Sequence, residues 1–387
     1  MPVIPAIAER LEAFAEIRRD LHAHPEIGFE EERTSGIVAD LLRAWGVETH
    51  VGIGRTGVVG VIEGTKGPGR SIGLRADMDA LPIEEETNLP WRSTHPGVSH
   101  ACGHDGHTAT LLAAAQYLSE NRDFAGRVVL IFQPAEEGLG GARAMLADGL
   151  FERFPCDEIY GLHNSPYTDP DIVGIKPGVA MAGADFFDVK VRGAGAHAAS
   201  PQYARDPIMA ATALVQAFQT IRSRNAPPHE AAVLSVTQIH AGAAYNVVPA
   251  EVTLAGTCRF FSEEARNRMR GRMETLAKGI AEAFEMQIEI AFRDIFTVLE
   301  NDATLTEKVV EIAREITGDE RVLIQPEAVT GSEDFADMLK TVPGAYFTVG
   351  HKGEVPLHNP GFVFDDDAIP LGASMYVRIA ESRLAAG

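Results

Sequence analysis

The sequence predicts an α/β protein: a mainly parallel central sheet flanked by helices, with a smaller ferredoxin-like α+β domain inserted into it. Three observations carry this. Apolar runs such as RVVLIFQ (127–133) lack alternation, the mark of strands buried on both faces. Such runs take turns with helical stretches, the order that builds parallel sheets. From about residue 184 the texture changes to strictly alternating strands such as DFFDVKVR, which suit a sheet with one wet face.

In chain order, the first helix covers about 7–24, with Leu11, Phe14, Ala15, Ile17 and Leu21 at helical spacing and His22 and His24 terminating it. A second helix covers about 34–45 and stops at Gly46. GVVGVIEG (57–64) and SIGLRAD (71–77) read as strands, 108–118 as an Ala- and Leu-rich helix, RVVLIFQP as a buried strand and EIYGLH (158–163) as another. The insert reads as strand (185–193), helix (207–222), strands (231–242 and 250–261), helix (263–283) and strand (286–292), the β-α-β-β-α-β order of a ferredoxin-like unit. A helix (304–316), a helical turn (335–339), a strand (345–350) and a helix (368–384) return to the first domain. The expected boundaries are 1–183 and 296–387 for the first domain and 184–295 for the insert.

Composition narrows the function classes. The 387 residues are 45% hydrophobic and 23% charged, ordinary for a soluble globular chain. A net charge of −21 repels nucleic acid and anionic membranes, but leaves room for an anionic small molecule at a locally positive site. Three Cys exclude a disulfide framework. The first residues have no basic stretch followed by an apolar run, so no secretory signal is expected. No apolar run approaches the ~20 residues of a membrane span, and the expected compartment is the reducing cytoplasm.

Candidate ligands and acids gather near predicted strand ends: Asp77 and Asp79, Glu136 and Glu137, His163, and His351 and His358. Open α/β sheets bind ligands beyond the carboxyl ends of their strands. HACGHDGH (100–107) packs three His, one Cys and one Asp into a short stretch, and Cys102-x-His104 can grip one or two cations. The bland alternative is a polar loop with Asp105 capping the helix. Cys102 and His104 lead as ligands; His100 and His107 follow. Glu136 and Glu137 suit metal-assisted hydrolysis, one holding an ion while the other takes a proton from water; the alternative is an exposed acidic pair at a helix start. His163 and His358, taken singly, read as structural; their positions and the need to complete a coordination shell make them candidates. His197 sits in a Gly-flanked loop of the insert, where a plain turn is the alternative. Cys156 and Cys258 read as buried apolar residues.

RRDLHAHPEIGFEE, LRADMDALPI, HACGHDGHTA, QPAEEGLGGA, GLHN, GAGAHAASP, AYNVVP, GTCRFF, TGSEDFADM and LHNPGF are together specific. Over almost its whole length the chain resembles the dinuclear metal amidohydrolases that include hippurate hydrolase, bacterial N-acyl-L-amino acid amidohydrolases and plant auxin-conjugate hydrolases. These belong with the aminoacylases and a folate-cleaving glutamate carboxypeptidase. The resemblance implies a metallopeptidase catalytic domain with the insert as lid and dimerisation domain. It implies two divalent ions per subunit, held by Cys102, His104, Glu137, His163 and His358, with Cys102 standing where the wider group has a bridging Asp. It implies Glu136 as the general base. Asp77 and Asp79 fall on the wider group's His-x-Asp segment, with Asp77 in place of the His. Asp79 is expected to orient a ligand, and the division of roles between the two stays open. His197 is implied as an oxyanion donor, acting within or across subunits. Asn246 and Arg259 are implied to hold the substrate's carboxylate or carbonyl, and Glu333 to support a ligand. A thiolate softens the site and favours Mn²⁺, Zn²⁺, Ni²⁺ or Co²⁺ over Mg²⁺ or Ca²⁺. The implied reaction is hydrolysis of N-acyl amino acids. Deacetylation of N-acetyl-diaminopimelate and dipeptide cleavage are alternatives on the same site. A non-catalytic binding protein is disfavoured, because it needs no base beside Glu137. The expected protein is a homodimer or homotetramer acting on a small molecule, with neither nucleic acid nor membrane as partner.

Overall fold

The computed structural model describes residues 3–385 and contains two compact units. The first takes the chain up to Ala180, Leu299–Ala328 and the chain from Asp334 onward; the second takes Met181–Val298 and Val329–Glu333. In chain order the first unit supplies α1 (Leu11–Ala23), α2 (Glu32–Ala44), β1 (Glu48–Ile53), β2 (Gly57–Glu63), β3 (Ser71–Asp77), α3 (His104–Glu120), β4 (Arg127–Gln133), β5 (Glu158–Ser165) and β6 (Val173–Ile175). The second supplies β7 (Gly183–Arg192), α4 (Pro207–Thr220), β8 (Ala232–Ala241), β9 (Glu251–Phe260), α5 (Glu263–Ala283) and β10 (Gln287–Phe296). α6 (Ala303–Thr317), β11 (Val322–Ile324), β12 (Gly344–Gly350) and α7 (Ile369–Arg383) return to the first.

The first unit is built on an eight-stranded sheet in the order β1-β2-β4-β3-β5-β12-β6-β11. Its centre, β4-β3-β5-β12, is parallel, and β6 pairs in parallel with β11. β1, β2 and the β12–β6 pair add antiparallel edges. Every residue of β3 is buried, as are Val128 to Gln133 of β4, which explains their unbroken apolar runs. α3 is buried almost all round from His104 to Ala115 and packs against α1 and α7, so it is a core helix rather than a surface one. Phe14, Leu111, Leu118, Phe132, Leu162, Phe347 and Tyr376 belong to one continuous core.

The second unit is an antiparallel sheet in the order β8-β9-β7-β10, the ferredoxin-like arrangement. α4 and α5 bury Leu214, Phe218 and Met273 against Phe187, Val189 and Leu254 of that sheet. Both helices start on true caps: Asp206 accepts the N–H of Ile208, with Pro207 in the first turn, and Ser262 accepts that of Ala265.

Local departures have physical causes. The first helical stretch is broken into Pro5–Ala8 and α1. It ends where His22 and His24 were expected to end it, with His22 buried in the last turn of α1 and His24 as its C-cap. α3 begins at His104 rather than 108, and Asp105 does not cap it; Gly103 holds the N-cap position and the Asp105 carboxylate is taken by Arg18 and His22. β1 was not foreseen because it is a largely exposed edge strand without apolar alternation. Among the described residues no helix is long and apolar enough to cross a membrane.

Candidate metal centre

The parallel register brings the relevant strand ends level. Asp77 on β3 faces Gln133 on β4, and Arg75 faces Gly161 on β5. Asp79, Glu136 and Glu137 continue off these ends, and His163 lies in β5. The first turn of α3 arrives at the same edge because Gly103 takes φ 93°, and a Cβ there would stand 3.0 Å from the Asn164 amide. Cys102 therefore precedes the helix and His104 opens it. The His358 N–H donates to the Ala101 carbonyl at 2.8 Å, tying a distant loop to the same place.

Cys102, His104 and His163 present ligand atoms within 4.8 Å of one another, and so do Cys102, Glu137 and His358. Cys102 is thus common to two three-donor groups. Its Sγ is 3.4 Å from His163 Nε2, while Glu137 Oε1 is 3.2 Å from His358 Nε2 and 3.9 Å from His104 Nε2. Donors about 2.1 Å from a tetrahedral ion lie about 3.4 Å apart, so these spacings suit a first-row cation. Glu136 forms a further group with His104 and Glu137, beside both sets. His104 Nε2 and Glu137 Oε1 are buried without a hydrogen bond, and such atoms at the middle of a ring of N, O and S donors fit divalent cations.

Hydrogen bonds decide which ring nitrogens are available. His104 Nδ1 is 3.2 Å from Asp79 Oδ1, and His163 Nδ1 is 2.7 Å from the Asn164 carbonyl. Each Nδ1–H donates outward, so Nε2 is the nitrogen turned to the cluster, the usual arrangement of a metal-binding imidazole. His107 differs. It lies with Asp77 and His104 in a further group, but its Nδ1 is 2.6 Å from Asp77 Oδ1 and its Nε2 is 2.8 Å from Asn164 Oδ1 and 3.0 Å from the Asn164 nitrogen, so both nitrogens are engaged. His100 is fully buried, has no hydrogen bond at either nitrogen, and joins none of the groups. Burial pushes its pKa down to about 4, leaving a neutral ring.

The two aspartates contact different groups. Asp79 accepts the His104 Nδ1–H through one oxygen and the Glu137 N–H at 3.0 Å through the other. Asp77 accepts from His107 and from Arg75 Nη1 at 2.7 Å. Burial opposes the charged form of Asp77, yet His104, Arg75 and His107 together hold its carboxyl well below the usual range. Burial also opposes charge on His104, but Asp77 and Cys102 outweigh it and raise the ring's pKa well above normal. Burial and the nearby Glu137 push the Cys102 thiol up. The site is thus a concentration of negative potential. Contacts with Cys102 and Glu137 raise His358 to about 10.

Other side chains here were not singled out in the sequence. Arg75, completely buried, donates to Gln133, Asp77 and Asp334. Asp334 accepts the Ala142 N–H at 2.9 Å, and its own N–H donates to Glu136 Oε1 at 3.4 Å. The signal for Arg75 was a charge inside an apolar strand, LRAD.

His197, Asn246, Arg259 and Glu333 belong to the second unit. There His197 is exposed and its Nδ1 accepts the Ala199 N–H at 3.1 Å, which puts the neutral ring's proton on Nε2. The Asn246 carbonyl accepts the Ala198 N–H at 2.9 Å. Arg259 donates to the Thr257 hydroxyl and, at 3.1 Å, to the Cys258 carbonyl, and burial lowers its pKa. Cys258 is buried and Cys156 partly so.

The profile of peptidase family M20/M25/M40 matches residues 73–382. The hippurate hydrolase of Campylobacter jejuni is 40% identical over 381 residues, covering 98% of this chain and 99% of that protein. The N-acetyl-L-cysteine deacetylase of Bacillus subtilis is 40% identical over 369 residues, 95% of this chain and 87% of its own. Among solved structures, the YXEP protein of Bacillus subtilis, a dinuclear metal binding peptidase from the M20 family, superposes with a TM-score of 0.85 at 33% identity, covering 97% of this chain and 99% of that one.

Proposed function

The chain belongs to peptidase family M20/M25/M40, and from that footing we propose that it is a metal-dependent amidohydrolase cleaving N-acyl amino acids to a carboxylic acid and a free amino acid. The observation that carries this reading is that Cys102 is common to two donor groups with Glu136 beside both. Cys102, His104, Glu137, His163 and His358 would hold two divalent ions, drawn from Mn²⁺, Zn²⁺, Ni²⁺ or Co²⁺. When bound, the ions polarise the substrate carbonyl and lower the pKa of water.

The chain's own groups do the rest. Glu136 takes a proton from the attacking water and passes it to the leaving amine. Asp79 holds the His104 ring by its Nδ1–H, and Asp77 steadies His107 and Arg75. His197, with its proton on Nε2, donates to the oxyanion as the carbonyl becomes tetrahedral. Arg259 pairs with the amino acid's carboxylate, a match of guanidinium to carboxylate, and Asn246 assists. In this reading 184–295 is a lid and dimerisation domain, His197 serves the site of a partner subunit, and the protein is cytoplasmic.

The test is Glu136→Gln. Both ions should remain by metal analysis, while hydrolysis of hippurate and N-acetyl-methionine falls by a factor of about 10²–10⁴. Full activity in that variant refutes the assignment. N-acetyl-diaminopimelate and a dipeptide in the same panel separate the alternative substrates.

A further inference from the structure

The N-terminal segment carries a carboxylate that neither the donor groups nor the helix behind it uses. Glu31 is fully buried and stands at the N-cap of α2, yet makes no capping bond. Its Oε1 accepts the Ala135 N–H at 2.8 Å and its Oε2 accepts the Thr56 hydroxyl at 2.5 Å. Ala135 has φ 54°, a left-handed conformation that a β-carbon disfavours. The Ala135 carbonyl accepts the Gly141 N–H at 3.0 Å. Gly28 lies so near that a Cβ there would come within 2.9 Å of both Cα and Cβ of Ala135. Glu136 and Glu137 follow immediately, and the Glu137 N–H is held by Asp79. Two buried carboxylates therefore grip alternate backbone N–H groups of one turn. Burying a carboxylate is unfavourable unless its bonds offset the lost hydration. Here one is committed to a backbone group beside the reacting side chains.

We propose that Glu31 is a positioning residue: by holding Ala135 left-handed it sets where the carboxylates of Glu136 and Glu137 stand. This rests on Glu136 as base and Glu137 as an ion's donor. Glu31→Ala removes the grip. Glu31→Gln keeps an oxygen for Ala135, and its amide can donate to Thr56. Ala135→Gly relieves the conformational demand, since glycine adopts positive φ freely. Glu31→Ala should lower kcat about 100-fold with KM changed less than about threefold, the effect of displacing a reacting group by ~1 Å. Glu31→Gln should stay within about fivefold, and adding Ala135→Gly to Glu31→Ala should recover about tenfold. Without turnover, Co²⁺ titration of the metal-free protein, followed by thiolate-to-metal absorption from Cys102, should show binding about tenfold weaker in Glu31→Ala.

Equal loss with and without Ala135→Gly, or wild-type kcat and Co²⁺ affinity in Glu31→Ala, overturns the positioning role. Where Glu31→Ala does not fold, Gly28→Ala drives a methyl group against Ala135 from the other side. It should lower kcat with little change in KM, and a wild-type Gly28→Ala overturns the role as well. Full activity of Glu136→Gln refutes the base assignment instead, and the Co²⁺ arm still judges Glu31.

Discussion

Replacing His22 with Gln should remove a pH dependence of stability whose size the buried network sets. The His22 side chain is 2% exposed; its Nδ1 is 2.9 Å from Asp105 Oδ2 and its Nε2 is 3.3 Å from Glu85 Oε2. Arg18 Nη1 reaches the same Asp105 oxygen at 3.0 Å. Burial works against the charged ring, but Asp105 and then Glu85 outweigh it and raise the pKa from 6.5 to about 9. A raised pKa means that the contribution is complete below about pH 6.5 and is lost as pH climbs through about 9. At ~1.4 kcal/mol per pH unit the loss is about 3 kcal/mol. The assay is urea unfolding of wild type and variant at pH 6, 7.5, 9 and 10 at fixed metal concentration; the difference between them cancels metal linkage. That difference should be flat below about pH 6.5 and shrink by about 3 kcal/mol across the alkaline range. A gap that stays constant to within ~1 kcal/mol from pH 6 to 10 would refute the reasoning, because His22 would then be uncharged in the fold. Asp105 acts in the opposite direction. Burial opposes its charge but His22, His100 and Arg18 hold its carboxyl far below the normal range, so its contribution is lost only in strong acid.

Three further predictions concern the centre itself. Asp79→Ala frees both the His104 ring and the Glu137 backbone and should weaken metal binding by about 10–100-fold, read by competition with a chelating dye. Cys102→Asp should keep two ions but shift preference from Zn²⁺ and Co²⁺ towards harder cations, and should remove sensitivity to peroxide, checked by metal analysis and residual activity. If His197 serves a partner's site, mixing His197→Ala with Glu136→Ala subunits should restore activity in verified heterodimers; none restored means that the site closes within one chain.

The layered architecture was legible because burial leaves a direct imprint. Val128 to Phe132 are apolar without alternation since both faces of β4 are covered, whereas β7 alternates since only one of its faces packs on helices. The edge strand β1 left no such imprint, and its polar residues read as loop. In the site, dense local spacing showed where cation donors sit, but spacing cannot say which nitrogen of an imidazole is available. His100, His104 and His107 look alike in HACGHDGH; only the bonds to Asp77, Asp79 and Asn164 separate a ring with Nε2 turned to the cluster from one fully engaged. Arg75 and Asp334 were hidden for another reason. They are 259 positions apart and meet through the fold alone.

The donors are spread from Cys102 to His358, and the second unit is encoded between them, Met181 to Val298. This order has a consequence for synthesis. A ribosome makes the chain from its N-terminus, so Cys102, His104, Glu137 and His163 emerge while His358 does not yet exist. The inserted sheet can pair β7 to β10 throughout that interval, since domains tend to fold as units. A nascent chain therefore presents a thiol and two imidazoles early, but the second donor group is incomplete until His358 is added. Capture of cations by the whole set then waits for His358, and a chain truncated before it lacks the second donor group.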